Sequence, residues 1–269
     1  MTRLISRLTG KIRFLSRLIR IKVKQTTEII CESPSYYILK KSRNFHVISL
    51  TKKTFDLADY YNLYRYNSND EYQEKQKAKT KRRLIHAKAS QESVLWTSKE
   101  NIAQLARLIQ ANFMDREILG MCMGSRSGEE QVIFQNALGP NSNVIGVEIE
   151  DSARDLPNTL VCDFHKLPST FNETQDFVYS NSHDQSNDPK AAFFGWIRAL
   201  KPGGLLILEH SRSHGKLHQG WQDPFGIESE FVPFVILTWF PDQLHLESIL
   251  YPQRQYDQFH YLFIFRKVQ

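Results

Sequence analysis

The sequence is short of the features that mark several protein classes. It has three cysteines, Cys31, Cys122 and Cys162, with no CxxC pair among them. So odd and sparse a set argues against a disulfide framework or a structural zinc site and fits a reducing, cytoplasmic setting. No stretch approaches the roughly 18 uninterrupted apolar residues that a membrane-spanning helix needs. Neither GxGxxG nor GxxxxGK[ST] occurs, which argues against dinucleotide and nucleoside-triphosphate cradles. GxSxG is missing as well, so no nucleophile elbow is written in the chain. No metal is expected: His210 and His214 lie four apart, but in a serine-rich stretch that reads as a loop.

Acidic residues are missing from the first 27 positions, where the basic ones concentrate. Arg3, Arg7, Lys11, Arg13, Arg17, Arg20, Lys22 and Lys24 precede the first acid, Glu28. Removing those eight leaves 27 basic against 29 acidic residues, so the formal charge of +6 reports the N-terminal arm. On a helical wheel Leu4, Ile5, Leu8, Ile12, Leu15, Leu18 and Ile19 share one face, opposite most of the arginines. Three readings of this basic amphipathic helix stand open. It packs on its own domain or a partner protein, it anchors peripherally at an anionic membrane surface, or it is a cleavable organelle presequence.

Three domain-scale segments follow from the texture: 1–24 the basic helix, 25–112 an accessory or substrate region, and 113–269 an α/β domain. In the accessory region, Glu28–Cys31, Tyr36–Leu39 and Phe45–Leu50 read as short strands. Residues 55–69 are rich in tyrosine, and 70–89 read as an exposed, charged helix. Its Lys75, Lys77, Lys79, Lys81, Arg82 and Arg83 form either a solvated face or a phosphate-binding surface for RNA or an anionic glycan. Ser98 is placed to cap a helix over 99–112, where Ile102, Leu105, Ala106 and Ile109 make an apolar stripe.

From residue 117, short apolar runs alternate with helical segments. Strands are expected at Glu117–Met121, Asn143–Ile149, Thr159–Cys162, Asp176–Ser180, Leu205–His210, Val232–Thr238 and His260–Arg266. Helices are expected at Gly128–Ala137, after Asp151, and at Lys190–Leu200. This is the pattern of a parallel sheet with crossover helices, ending in an antiparallel hairpin. Ligands of open α/β sheets sit beyond the carboxyl ends of the strands. Several polar loops fall there in order: Gly120 to Glu130, Glu148 to Glu150, Cys162-Asp163-Phe164-His165, and Ser180 to Asp184. Pro202-Gly203-Gly204 then turns the chain into the strand ending at Glu209-His210. An acid about twenty residues past a glycine loop is placed to accept ribose hydroxyls. Glu148 is the first choice and Glu150, of the same parity, the fallback.

The segments Ala199-Leu-Lys-Pro-Gly-Gly-Leu-Leu-Ile and Cys162-Asp-Phe-His-Lys-Leu-Pro168 carry a resemblance. Over roughly 117–210, and more loosely to 269, the chain resembles the class I S-adenosylmethionine-dependent methyltransferases. It looks most like a type 11-like, bacterial-type group whose first loop reads Cys-x-Gly-Ala-Arg-x-Gly-x-Glu. The corresponding residues here are Cys122-Met-Gly-Ser-Arg-Ser-Gly-Glu-Glu130. The group's Asn-Ser-x-Asp-His corresponds to Asn181-Ser-His-Asp-Gln185. The resemblance implies a Rossmann-like, seven-stranded, mostly parallel sheet with an N-terminal α+β extension, and S-adenosylmethionine as cofactor. The implied binding residues are Cys122, Gly124, Ser125, Arg126 and Gly128 for the methionine end, Glu148 for ribose, and Asp163 and Phe164 for adenine. Asn181 stands where sulfonium and acceptor meet. His183, His210 and Asp184 are the candidates for removing a proton from the acceptor. The general pattern of an acid followed by alternate glycines is reduced to Gly124: Cys122 and Arg126 hold the other glycine positions, and Gln185 replaces the group's histidine.

Three functions therefore compete: a methyltransferase acting on oxygen or nitrogen of a small molecule or glycan, an RNA methyltransferase, and a non-catalytic scaffold of the same fold. Trp221, Phe225 and Gly220, within residues 211–231, suit a lid over the site.

Overall fold

The computed structural model describes residues 57–268, apart from 91, 92, 94 and 115, and the backbone of three earlier strands. The basic helix expected over residues 1–24 lies outside the described residues. Strands β1 (Thr27–Glu32), β2 (Tyr36–Lys41) and β3 (Asn44–Ser49) form an antiparallel sheet, as the short runs implied. Helices α1 (Asn69–Ser90) and α2 (Lys99–Asn112) follow β4 (Tyr61–Leu63). Ser98 caps α2, its side chain accepting from the backbone N–H of Asn101.

The main sheet has seven strands in the order β11-β12-β9-β8-β5-β6-β7. Its members are β5 (Ile118–Met123), β6 (Ser142–Glu148), β7 (Thr159–Val161), β8 (Gln175–Ser180), β9 (Leu200–His210), β11 (Leu244–Leu250) and β12 (Tyr261–Lys267). The first five run parallel, while β12 lies antiparallel between β9 and β11. Between them run α3 (Glu129–Leu138), α4 (Pro189–Ala199), the short β10 (Phe225–Ile227) and α5 (Val232–Trp239).

Strand alternation divides the core in two. Phe177, Tyr179, Leu205, Ile207, Leu262 and Ile264 face α2 and α3, packing on Ile102, Leu105, Ile109 and Phe134. Their neighbours Val178, Leu206, Leu208, Phe263 and Phe265 face the opposite side, with Phe193, Trp196 and Val235. A period of two on strands covered on both faces is what buries all of them.

Two expectations are corrected. Val232–Thr238 is not a strand but most of α5, and the sixth sheet strand is Leu244–Leu250. An unbroken apolar run gives no period to read, and Pro233 in the first helical turn tips it to helix. The helix expected after Asp151 is only a 3₁₀ turn, Asp151–Asp155. No helix among the described residues is long and apolar enough to cross a membrane.

Candidate active site

Strand order reverses around β5, which pairs with β6 on one side and β8 on the other. The loops leaving β5, β6, β7 and β8 therefore converge at one sheet edge. After Met123 the chain turns through Gly124 (φ +77°), Arg126 (φ +47°) and Gly128 (φ +76°) into α3. Glycine is needed at 124 on two counts: the left-handed backbone, and a Cβ that would stand 2.6 Å from the Ser182 Cβ. Ser182 Oγ donates to the Gly124 carbonyl, so the β5 and β8 loops touch there.

Two clefts meet at Gly124. The first is lined by Tyr72, Gln76 and Thr80 of α1 and by Glu148, Asp163 and Phe164. The second is lined by Trp96, Ser125, Arg126, Glu130, Asn181 and Ser182. The predicted binding residues are thus brought together, except that Cys122 is buried within β5 and Gly128 forms the helix entry.

Glu148 ends β6 with its carboxylate bound by the backbone. Oε2 accepts from Arg126 N at 2.9 Å, and Oε1 from Ile149 N at 2.9 Å and Glu150 N at 3.2 Å. Burial raises its pKa, against the pull of those N–H groups. Glu150 turns away to cap the next turn through Ser152 N, so of the two acids only Glu148 lines a cleft. Asp163 Oδ1 meets His165 Nδ1 at 2.6 Å, and Oδ2 accepts from Gln73 of α1 at 3.1 Å. Burial works to raise its pKa, but these bonds outweigh it and hold the carboxyl below the usual range. His165 Nε2 in turn meets Ser186 Oγ at 2.6 Å. Phe164 lines the first cleft and packs edge-on against Trp196.

Asn181 Nδ2 donates to Glu130 Oε1 at 2.7 Å and to Tyr179 Oη at 3.2 Å. His183 and His210 do come together, Nε2 to Nδ1 at 2.9 Å, and burial pushes both well below the ordinary imidazole pKa. Asp184 is raised to about 6 by burial. None of these three lines either cleft; the rings are packed behind the wall. His214 joins them, stacked 5.0 Å from His183 and tilted at 4.9 Å from His210.

The three histidines hold a nitrogen apiece within 4.8 Å of one another, a spacing suited to a metal that sequence separation did not reveal. His214, however, is engaged at both nitrogens. Its Nδ1 accepts from Ser211 N at 2.9 Å, which puts the proton on Nε2, 3.0 Å from the Asn181 carbonyl. This tautomer leaves it no lone pair for an ion.

Sequence reasoning missed α1 as a cleft wall, because its weak periodicity reads as a solvated surface. Lys79, 1% exposed, pairs with Asp223 at 2.6 Å and donates to the Gln222 carbonyl at 2.7 Å. Lys75 and Lys77 pair with Glu71 and Asp151. Half of the basic residues expected to form an RNA- or glycan-binding face are thus engaged within the chain. The expected lid is also partly core. Phe225 is buried against Tyr61 and Trp239 and belongs to β10, which pairs with β4. Trp221 stays at the surface, its carbonyl bound by Tyr66 Oη.

Solved structures superpose on this fold. The 1,6-didemethyltoxoflavin-N1-methyltransferase of Burkholderia thailandensis, solved with S-adenosylhomocysteine, superposes with TM-score 0.55 at 14% identity, over 77% of this chain and 93% of its own. The chain has the class I S-adenosylmethionine-dependent methyltransferase fold. The plantazolicin methyltransferase BpumL gives TM-score 0.53 at 10% identity, over 74% of this chain and 94% of its own. The N-methyltransferase NodS of Bradyrhizobium japonicum gives 0.52 at 16% identity, over 72% and 100%. No protein-family model matches the sequence. No curated protein matches it.

Proposed function

We propose that this chain is an S-adenosylmethionine-dependent methyltransferase acting on oxygen or nitrogen of a small molecule or glycan. One observation carries the reading: two clefts of different chemistry join at a glycine that tolerates no side chain. An elongated ligand with a nucleoside at one end and a charged amino acid at the other would lie with its ends in the two clefts. When bound, the cofactor supplies an electrophilic methyl group on a sulfonium.

In this reading Glu148 accepts from the ribose hydroxyls, Asp163 from the adenine amino group, and Phe164 covers the base. Gly124 and Ser125 let the backbone approach the ligand closely, and Arg126 meets the carboxylate. Cys122 and Gly128 hold the ends of that loop, and Asn181 fixes the floor. Holding acceptor and donor in line supplies most of the acceleration such a transfer needs. His183, His210 and Asp184 line neither cleft, and burial disfavours the charged form of both histidines, so removal of a proton from the acceptor is not assigned to them. A small acceptor is favoured over RNA because α1 walls the first cleft and three of its basic residues are engaged in ion pairs. The Burkholderia enzyme, solved with 1,6-didemethyltoxoflavin, acts on such a molecule. Because α1 and α2 wall the trough and its sheet, we assign them to one functional unit with 113–269. Residues 1–24 remain the candidate for partner or membrane-surface contact; co-sedimentation with anionic vesicles of the full chain but not of Δ1–24 identifies an anchor.

The scaffold reading draws on one observation: Gln73 holds Asp163, and the Arg126 N–H holds Glu148, where a nucleoside would bind. Calorimetry with S-adenosylhomocysteine separates the two. Saturable binding that Glu148→Ala weakens supports the enzyme. A folded protein giving no heat at high micromolar ligand supports the scaffold.

A further inference from the structure

Glu130 is the second residue of α3, yet its side chain points inward and is 5% exposed. It lines the second cleft with Ser125, Arg126, Asn181 and Ser182. Oε1 accepts from Asn181 at 2.7 Å, while Oε2 is buried without any hydrogen-bond partner. Ser125 Oγ, on the same cleft, is also buried and unpartnered.

A buried glutamate that serves only the fold is expected to satisfy both oxygens. Glu209, reached from Glu130 through Asn181 and Tyr179, does so. Its Oε2 accepts from Thr97 and Tyr179, each at 2.6 Å, and its Oε1 from Asn101 at 2.8 Å and His260 at 3.0 Å. Glu130 keeps one oxygen bare beside a cleft, which is costly unless something else supplies the donor.

We infer that Glu130 is a binding residue whose free oxygen accepts a hydrogen bond from a ligand ammonium, the α-amino group of the cofactor's amino-acid end. This rests on the cofactor reading above. The chemistry matches on three counts. An ammonium is donor-only, so it complements an acceptor-only carboxylate. Charge-assisted bonds in a closed cleft are the strong ones. Asn181 pins Oε1, so Oε2 is held rather than free to swing.

The test compares two ligands on the full chain by calorimetry. S-adenosylhomocysteine carries the α-amino group; 5′-methylthioadenosine has the same nucleoside and thioether without the amino acid. Glu130→Gln keeps the shape and an acceptor for Asn181 but removes the charge. The expected result is a ten- to hundredfold loss of S-adenosylhomocysteine affinity, as for a hydrogen bond to a charged group, with 5′-methylthioadenosine affinity unchanged. Equal losses for both ligands, or no loss for either, overturn the inference while leaving the cofactor reading intact. If the wild-type chain binds neither ligand, the cofactor reading itself falls. Glu130→Asp shortens the side chain but keeps the charge, and is expected to lie between wild type and Glu130→Gln.

Discussion

Glu209 and Glu130 occupy the same buried polar seam and differ in one respect. Four donors converge on Glu209, whereas Glu130 has one and a bare oxygen beside a cleft. The seam is therefore closed at the end beneath β9 and open at the end beneath the Gly124 loop. A closed end contributes stability and ties the start of α2 and the residue before β12 to β8 and β9. An open end leaves capacity that only a ligand completes.

The largest effect expected from this contrast is on stability. Glu209→Ala strands Thr97, Asn101, Tyr179 and His260 and should cost about 3–5 kcal/mol in urea unfolding. A loss under about 1 kcal/mol would show that the closed end is not a structural lock.

The next test is pH dependence. Burial raises the Glu130 pKa from 4.5 to about 7, with Asn181 and Arg126 opposing and Glu209 and Glu148 adding to the rise. Cys122 and Tyr179 also face it. The folded state then binds a proton that the unfolded state has released. The contribution is fully present below about pH 4.5 and is lost as pH rises through 7. The difference between wild type and Glu130→Gln should change by on the order of 3 kcal/mol across that window. Parallel stability curves for the two would contradict it. Because an ammonium selects the ionised carboxylate, cofactor affinity in wild type should rise between pH 6 and 8, and this rise should vanish in Glu130→Gln.

Gly124→Ala should cost about 1–3 kcal/mol through its left-handed backbone and the approach to Ser182. It should also weaken S-adenosylhomocysteine more than tenfold, since both clefts share this residue; unaltered affinity would separate the clefts from the ligand. The smallest effect is expected at Glu148→Ala, a severalfold loss of affinity, because backbone N–H groups already share its oxygens. An unchanged affinity would take the ribose away from Glu148.

What could be read in the sequence was whatever repeats with a fixed period or needs a special residue. The alternation in β8 and β9, the Ser98 cap and the Gly124 turn are local, and the residues declare them. Glu148 is preferred to Glu150 on spacing alone, since both share a face; the turn after β6, which draws Glu150 to Ser152 N, is what separates them. The convergence of His183, His210 and His214 depends on two strands meeting side by side, which no spacing along the chain encodes. Helix α1 hid its role for a related reason. Tyr72, Gln76, Lys79 and Thr80 bury polar groups against a polar site, so no apolar stripe marks the buried face. Val232–Trp239 failed from the opposite side, being apolar all round.

The most direct measurement is calorimetric titration of the intact chain with S-adenosylhomocysteine at pH 7.5, with folding confirmed in the same sample. The account predicts saturable one-to-one binding, tighter than that of 5′-methylthioadenosine because the second cleft is engaged. A folded chain with no detectable heat at high micromolar ligand, or one that binds both ligands equally, would contradict the trough joined at Gly124.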